Sequence, residues 1–178
     1  MEPGSSASSP SDTRVSVDRI PTLEVVILIG LQGAGKSTFR GQRFVETHAV
    51  VSKDLIRDQR RPERRQQRLV MAALASGLSV VVDDTHPSVQ ERAVVIATAR
   101  WCGARVVGYF FESPLHECAA RNQRRPARTR APDVGLLAAA RRLVAPSKAE
   151  GFTELLTVRT LPDLRFDIVP FGGINDAQ

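Results

Sequence analysis

From Leu23 onward, short apolar runs alternate with longer segments in which apolar residues recur every three or four positions. The short runs are rich in β-branched residues and predict buried strands, whereas the longer spacing predicts helices with one apolar face. The predicted strands lie at 25–29, 48–52, 78–82, 105–111, 155–158 and 166–169. The predicted helices lie at 36–44, 62–77, 89–101 and 133–144, with a shorter helix after the fourth strand. Strands and helices in this alternation are joined by right-handed crossovers, so we expect an α/β fold whose parallel sheet carries helices on both faces.

Residues 22–178 are predicted to form one domain that follows a tail. The tail, 1–21, is rich in serine and buries too little apolar surface to offset its ordering entropy, so we expect it to be disordered. In the helix that begins at Pro62, the predicted buried face consists of Leu69, Ala72 and Ala73.

The segment GLQGAGKS at 30–37 matches G-x-x-x-x-G-K-[ST] between a buried strand and a helix, as a P-loop requires. Backbone N–H groups of such a loop, aided by the helix N-terminus, point at phosphate oxygens. We expect Lys36 to reach the β- and γ-phosphates of ATP or another NTP, and the Ser37 hydroxyl to bind Mg²⁺. The residues expected to bind the triphosphate are Gly33, Ala34, Gly35, Lys36, Ser37 and Thr38.

Asp54 and Arg57 follow the second predicted strand, on the same edge of the sheet as the P-loop. A carboxylate at this place accepts the proton of an attacking hydroxyl, as phosphoryl transfer to an alcohol requires. Arg57 then orients Asp54 or holds a phosphate of the acceptor. The alternative is that Asp54 only caps the next helix and Arg57 is solvated, and the residues alone leave both open.

An acid follows the third apolar strand, in the Walker B arrangement that places Asp83 near Mg²⁺. Asp84 adds a second negative charge, which is costly beside phosphates unless it is paired; otherwise it is an outward-facing loop residue. His86 either contacts an acceptor phosphate or is an ordinary loop histidine.

Five arginines and no acid occur between residues 121 and 130. Guanidinium groups bind phosphate oxygens in pairs, and Arg121 and Arg125 stand four residues apart, as on one helix face. This segment, within about 114–132, is therefore interpreted as a lid that closes over the triphosphate; the alternative is a solvated basic helix face. A second basic cluster at 57–68 favours a polyanionic acceptor, unless it reflects genomic bias.

Composition narrows the class of protein. The chain has 178 residues, 42% of them hydrophobic, and a formal net charge of +6. No apolar run approaches the ~20 residues that a transmembrane helix needs, and the polar N-terminus lacks a signal-peptide core, so we expect no membrane association. The absence of a disulfide pattern, with two cysteines, favours the cytoplasm. A basic chain favours nucleic acid as a partner, although only Lys36, Lys53 and Lys148 are lysines, which is typical of a GC-rich coding bias.

Taken in order, these motifs resemble the polynucleotide 5′-kinase family, which includes the kinase half of bifunctional polynucleotide kinase/3′-phosphatases, repair kinases of phage and bacteria, and AAA-type predicted kinases. The resemblance covers about 25–158. Its markers are the P-loop, D-x-x-R at 54–57, D-D-T-H-P at 83–87, R-N-x-x-R at 121–125 and the segment 142–152. Asp84 and His86 stand where the family has two asparagines.

The resemblance implies a P-loop kinase that moves the γ-phosphate of an NTP, with Mg²⁺, to the 5′-OH of single-stranded or end-exposed DNA or RNA. It implies that Asp54 is the general base, that Arg57 contacts the acceptor or the scissile phosphate, and that Asp83 lies at the rim. Lys36 and Ser37 would act on the triphosphate and Mg²⁺, and Arg121 and Arg125 would contact donor phosphates from the lid. No obligate protein partner is expected. The alternatives are a kinase of a small metabolite or sugar, or a P-loop toxin or NTPase.

Overall fold

The computed structural model describes residues 22–53 and 61–172. The strands are β1 (Glu24–Ile29), β2 (His48–Val51), β3 (Ser79–Asp83), β4 (Arg105–Phe111), β5 (Glu154–Thr160) and β6 (Phe166–Pro170). The helices are α1 (Lys36–Arg43), α2 (Pro62–Ala75), α3 (Val89–Trp101), α4 (Leu115–Gln123) and α5 (Asp133–Arg142). The predicted α/β class is confirmed, and most predicted boundaries lie within two residues of those observed. The predicted tail lies outside the described residues.

The six strands form one sheet in the order β2-β3-β1-β4-β5-β6. The first five strands are parallel, as predicted, but β6 runs antiparallel to β5, with Thr157 opposite Val169. The predicted parallel sheet is therefore observed for five strands, and β6 adds one antiparallel strand at its edge. A parallel connection needs a crossover of about a dozen residues or more, whereas only 161–165 join these two strands.

Each face of the sheet packs against its own layer of helices. Because side chains alternate along a strand, Val25 and Ile27 of β1 pack with α2 and α3, whereas Val26 and Leu28 pack with Phe39 of α1 and with residues of α4 and α5. All these β1 side chains are fully buried. Both faces are thus covered, and β1 is the central strand that delivers the P-loop to the carboxyl edge of the sheet.

Helix α2 buries a different face from the one predicted. Its buried residues are Gln66, Val70 and Leu74, which are four residues apart, whereas Leu69 is half-buried and Ala72 is exposed. The predicted buried face is therefore wrong at Ala72, whereas Leu69 and Ala73 are partly buried and pack against the core at the edge of the observed face. The sequence pattern is misleading here because Gln66 is polar. It is nevertheless buried, since its side chain donates a hydrogen bond to the Asp84 carboxylate.

In the two described ranges, no helix has both the length and the apolar character needed to cross a membrane.

Candidate active site

The P-loop leaves β1 and wraps around the N-terminus of α1. The N–H of Gly30 donates to the Thr85 carbonyl oxygen at 3.0 Å, which joins the loop to the end of β3. The ammonium of Lys36 donates to the carbonyl oxygens of Gly30 and Leu31, both at 2.8 Å. The lysine is 7% exposed, so its charge is held inside the loop, at the place where the motif expects the β- and γ-phosphates.

Gly33 is required because α4 packs directly on the loop. Its φ is +82°, and a Cβ built there would lie 2.2 Å from the carbonyl oxygen of Cys118 in α4. Any larger residue would force the loop and the helix apart. The close approach of α4 to the loop therefore requires glycine at this position.

Burial lowers the pKa of Lys36 from 10.5 to about 8, although the nearby Asp83 carboxylate opposes the shift. An ammonium out of water loses hydration, so its neutral form gains relative to the charged form. A bound triphosphate would favour the charged form again, because it brings negative charge to the same place.

We therefore expect the affinity for the donor to fall as the pH rises above about 8. Below that pH Lys36 is already protonated in the free protein, whereas above it a proton must be taken up on binding, and the Kd rises by up to about tenfold per pH unit. Titration with a non-hydrolysable triphosphate analogue between about pH 7 and pH 9.5 measures this. Lys36→Arg, whose guanidinium stays charged, should give a flat profile. A flat profile for the wild type would contradict the prediction.

Ser37 and Asp83 line the same cleft and are the predicted Mg²⁺ ligands. Hydroxyl and carboxylate oxygens suit this hard cation. Arg40, one helical turn after Lys36, pairs with Asp83 at 3.2 Å, and the Asp83 side chain is 8% exposed. Mg²⁺ is ordinarily held by one or two protein ligands together with waters and substrate phosphates, and these two side chains could supply the protein ligands.

Asp84 and His86 adopt roles that the sequence leaves open. The Asp84 carboxylate accepts hydrogen bonds from Ser52, Lys53 and Gln66, so this second negative charge is paired rather than turned outward. His86 is 1% exposed, and its Nδ1 donates to the Leu28 carbonyl oxygen at 3.0 Å. Burial lowers the pKa of His86. This placement favours the interpretation of His86 as a loop residue over that of an acceptor contact.

The two predicted lid arginines do not share a helix face, because α4 ends at Gln123 and Arg125 follows it. Arg121 Nε donates to the Gly33 carbonyl oxygen at 2.7 Å, and its Nη1 lies 3.2 Å from the Glu117 carboxylate. Its Nη2 is buried and has no partner in the described part of the chain. Arg121 thus contacts the P-loop and retains one N–H₂ group with no partner among the described residues. Arg125 lies near enough to Lys36 to lower the pKa of the lysine.

A cleft of about 1090 Å³ joins the P-loop to the ends of β2 and β3 and to the start of α3. Besides Arg40, its lining includes four arginines from the segment 125–142, which we call the arginine wall: Arg125, Arg128, Arg130 and Arg142. Arg142 pairs with Glu91, and Arg130 donates to backbone carbonyls. Within ranges 22–53 and 61–172, neither Arg125 nor Arg128 forms an ion pair.

A second cavity of about 670 Å³ lies on the other side of Arg125. Its lining includes Gly33, Gly35 and Thr38 of the predicted triphosphate site and the turn 161–164 between β5 and β6. Thr160 Oγ1 donates to the Ala34 carbonyl oxygen at 2.8 Å, which fixes this turn against the P-loop. The cavity adjoins the P-loop on the side of α4 and of the turn between β5 and β6.

Asp54 and Arg57 lie outside the described residues. Ser52 and Lys53, which precede them, line the large cleft beside Asp83 and Asp84. The role predicted for Asp54 as a base and that of Arg57 stay predictions.

One functional residue that the sequence does not reveal is Arg92 in α3. It is fully buried and donates to both oxygens of Glu150, at 2.7 and 2.8 Å, and to the carbonyl oxygens of His86 and Val144. It therefore ties the loop after β3 to the segment before β5. An arginine on a helix ordinarily indicates a solvated face, and its partner lies 58 residues away in the sequence.

A protein-family model described as an AAA domain matches residues 25–146. The chain is similar to a sugar kinase from Janibacter sp., with 18% identity, a TM-score of 0.58, and coverage of 76% of this chain and 85% of that one. It is similar to an APS kinase from Mycobacterium tuberculosis solved with AMPPNP and APS, with 21% identity, a TM-score of 0.55, and coverage of 80% and 90%. It is also similar to a chain of the Pnkp1/Rnl/Hen1 RNA repair complex, with 20% identity, a TM-score of 0.58, and coverage of 84% and 48%. These likenesses show a P-loop kinase fold.

Proposed function

This chain belongs to the AAA-domain family, and we propose that within it the protein is a Mg²⁺-dependent polynucleotide 5′-hydroxyl kinase. The reaction moves the γ-phosphate of ATP, or of another NTP, to the 5′-OH of single-stranded or end-exposed DNA or RNA. The proposal includes a role in nucleic acid repair.

The observation that carries the proposal is the arginine wall, which lines the same cleft as the P-loop. A donor triphosphate needs the cations of the P-loop and of the lid, which include Arg125, whereas Arg128 lines the same cleft and forms no ion pair within the part of the chain that the structure describes. Unpaired guanidinium groups bind phosphate oxygens strongly. An acceptor with several phosphates, such as the end of a polynucleotide, fits this surface better than a neutral sugar does.

On the donor side, Lys36 and the backbone of the P-loop would bind the β- and γ-phosphates, with Arg121 Nη2 available for a further contact. Ser37 and Asp83 would hold Mg²⁺, which neutralises charge on the β- and γ-phosphates when it is bound. Arg40 pairs with Asp83 in the structure and keeps that carboxylate at the floor of the cleft.

On the acceptor side, Asp54 would take the proton of the 5′-hydroxyl while the hydroxyl oxygen bonds to the γ-phosphorus. The bond between the γ-phosphorus and the β–γ bridging oxygen breaks, and the nucleoside diphosphate leaves. Arg57 would orient the acceptor, and Arg125 would stabilise charge on the transferred group. Positioning and charge neutralisation supply most of the rate in such transfers.

The likenesses support a P-loop kinase fold but do not choose the acceptor, since they include a sugar kinase and an APS kinase as well as an RNA repair complex. A kinase of a small metabolite or sugar, or a P-loop toxin or NTPase, is the alternative outcome of the test.

The test is transfer of label from γ-labelled ATP, with Mg²⁺, to 5′-OH oligonucleotides of DNA and RNA. We expect the wild type to label a 5′-OH strand and to leave a 5′-phosphorylated strand unlabelled. Asp54→Asn should abolish labelling because it removes the base, whereas Asp58→Asn, a matched change four residues later, should not. Donor hydrolysis without any labelled strand would support an NTPase instead. Labelling of a small metabolite alone would support the other kinase class.

A further inference from the structure

Asp84 and its partners form a polar cluster in the cleft that the proposed mechanism does not use. Oδ1 of Asp84 accepts hydrogen bonds from the backbone N–H of Lys53 at 2.9 Å and from Ser52 Oγ at 3.3 Å. Oδ2 accepts from Nε2 of Gln66. The Asp84 side chain is 11% exposed and Gln66 is 3% exposed, so these contacts are shielded from water.

The cluster lies where an edge strand ends. The β2–β3 pairing stops at Val51 opposite Val82, and β2 has β3 as its one neighbour in the sheet order. Beyond that point the Lys53 N–H is satisfied by the Asp84 side chain instead of by a strand carbonyl. Asp84 therefore anchors the chain just after β2, beyond the last residue pair of the β2–β3 ladder, and fixes the point where the chain leaves the sheet.

The next residues of the same loop contact β1 and the P-loop, on the side of the cleft proposed to bind the donor. The Thr85 carbonyl oxygen accepts from Gly30 of the P-loop, and His86 donates to Leu28 just before it. His86 Nε2 lies 4.0 Å from Asp84 Oδ2, beyond hydrogen-bond distance. The loop after β3 thus contacts two parts of the cleft. Asp84 contacts the end of β2, which we call the acceptor half, whereas Thr85 and His86 contact the P-loop side, which we call the donor half.

We propose that Asp84 is a positioning residue that fixes the acceptor half of the cleft through the Lys53 amide and Gln66. This inference rests on the proposed function, since the residue that follows Lys53 in the sequence is Asp54, the proposed base. Hydrogen-bond acceptance, rather than negative charge, is the property that the position needs. The chain can therefore use aspartate where the resembling family has asparagine.

The chemistry of the cluster predicts how two substitutions differ. Asp84→Asn keeps Oδ1 for Ser52 and Lys53, and the Gln66 amide can turn so that its oxygen accepts from the new N–H₂ group. Asp84→Ala removes all three acceptor contacts and leaves the Lys53 amide without a partner. A misplacement of about 1 Å at a reacting group costs roughly 100-fold in rate.

The test measures kcat, the KM for a 5′-OH oligonucleotide, the Kd for a non-hydrolysable donor analogue, and NMR-detected hydrogen exchange of the Lys53 amide. We expect Asp84→Ala to lower kcat about 100-fold and to speed exchange at Lys53, while the donor Kd stays close to that of the wild type. Asp84→Asn should recover most of the rate and the protection. Gln66→Leu, which spares the Oδ1 contacts, should give an intermediate rate. Gln67→Ala, on the same helix but without contact to Asp84, serves as the control.

Two results would overturn the inference. One is a donor Kd that weakens in parallel with kcat in Asp84→Ala, because Asp84 would then act on the P-loop. The other is unchanged exchange at Lys53 in that variant, because the anchor would then lie elsewhere. If the wild type labels no oligonucleotide, the proposed function fails, and the exchange measurement still decides whether Asp84 anchors the end of β2.

Discussion

Lys36→Met is expected to lower kcat/KM for phosphoryl transfer by about 10²–10³-fold, the size of effect that follows removal of one preorganised charge-stabilising donor. The Lys36 ammonium is buried at the centre of the P-loop, and no other cation lies within that loop to replace it. Methionine keeps the length and the apolar stem of the side chain, so the loss measures the charge rather than the packing.

The measurement is steady-state transfer from γ-labelled ATP, together with thermal unfolding to show that the variant folds. Because a buried ammonium is costly, the substitution should leave the melting temperature unchanged or raise it. Lys148→Met, the matched change at an exposed lysine, is the control and should keep wild-type transfer. Residual activity of Lys36→Met near that of the control would show that the P-loop is not the donor site.

Glu150→Ala is expected to destabilise the fold by about 3–5 kcal/mol, because it leaves the buried Arg92 guanidinium without its counter-charge. Arg92 is fully buried and forms two hydrogen bonds with Glu150. For a domain of this size the melting temperature should fall by roughly 10 °C.

Calorimetry or denaturant unfolding checks this expectation. The double variant Arg92→Met and Glu150→Met should be more stable than Glu150→Ala alone, because it removes the buried charge together with its partner. The exposed pair Arg105–Glu154, at 3.1 Å, provides the control, and Glu154→Ala should cost less than about 1 kcal/mol. Equal losses for Glu150→Ala and Glu154→Ala would mean that Arg92 finds another partner or reaches water.

Local patterns are sufficient to predict most of this fold. Buried strands such as β1 and β4 consist of short β-branched runs, and α3 is bounded by Ser88, which accepts from the Glu91 N–H, and by a glycine. Each of these signals spans only a few neighbouring residues, so it can be recognised in the sequence without knowledge of the fold. The P-loop is predictable for the same reason, since its motif and its flanking elements are contiguous.

Two features of the fold that the apolar pattern alone does not predict have local signals of their own. The turn 161–165 is too short for a parallel crossover, which predicts an antiparallel β6. Arg125 precedes Pro126, and a residue before proline disfavours the helical region, so α4 ends before it. In both cases the length of a connection or the identity of a neighbour outweighs the apolar pattern.

The remaining features depend on partners distant in the sequence. Gln66 and Arg92 are buried because Asp84 and Glu150 accept their hydrogen bonds, from 18 and 58 residues away. A single sequence shows the polar residue but not its partner, so the burial of these two side chains cannot be predicted from it. The same holds for Arg121, whose contact with the Gly33 carbonyl spans 88 residues.

The most direct test of phosphoryl transfer to a 5′-hydroxyl is end-group analysis of the labelled product. A 5′-OH oligonucleotide is incubated with γ-labelled ATP and Mg²⁺, and the product is digested to 5′-mononucleotides. We expect all label to be recovered on the 5′-terminal nucleotide, with little label for Lys36→Met and none for Asp54→Asn. A wild-type protein that binds the donor analogue but places no label at the 5′ end of DNA or RNA would contradict the assignment of the acceptor.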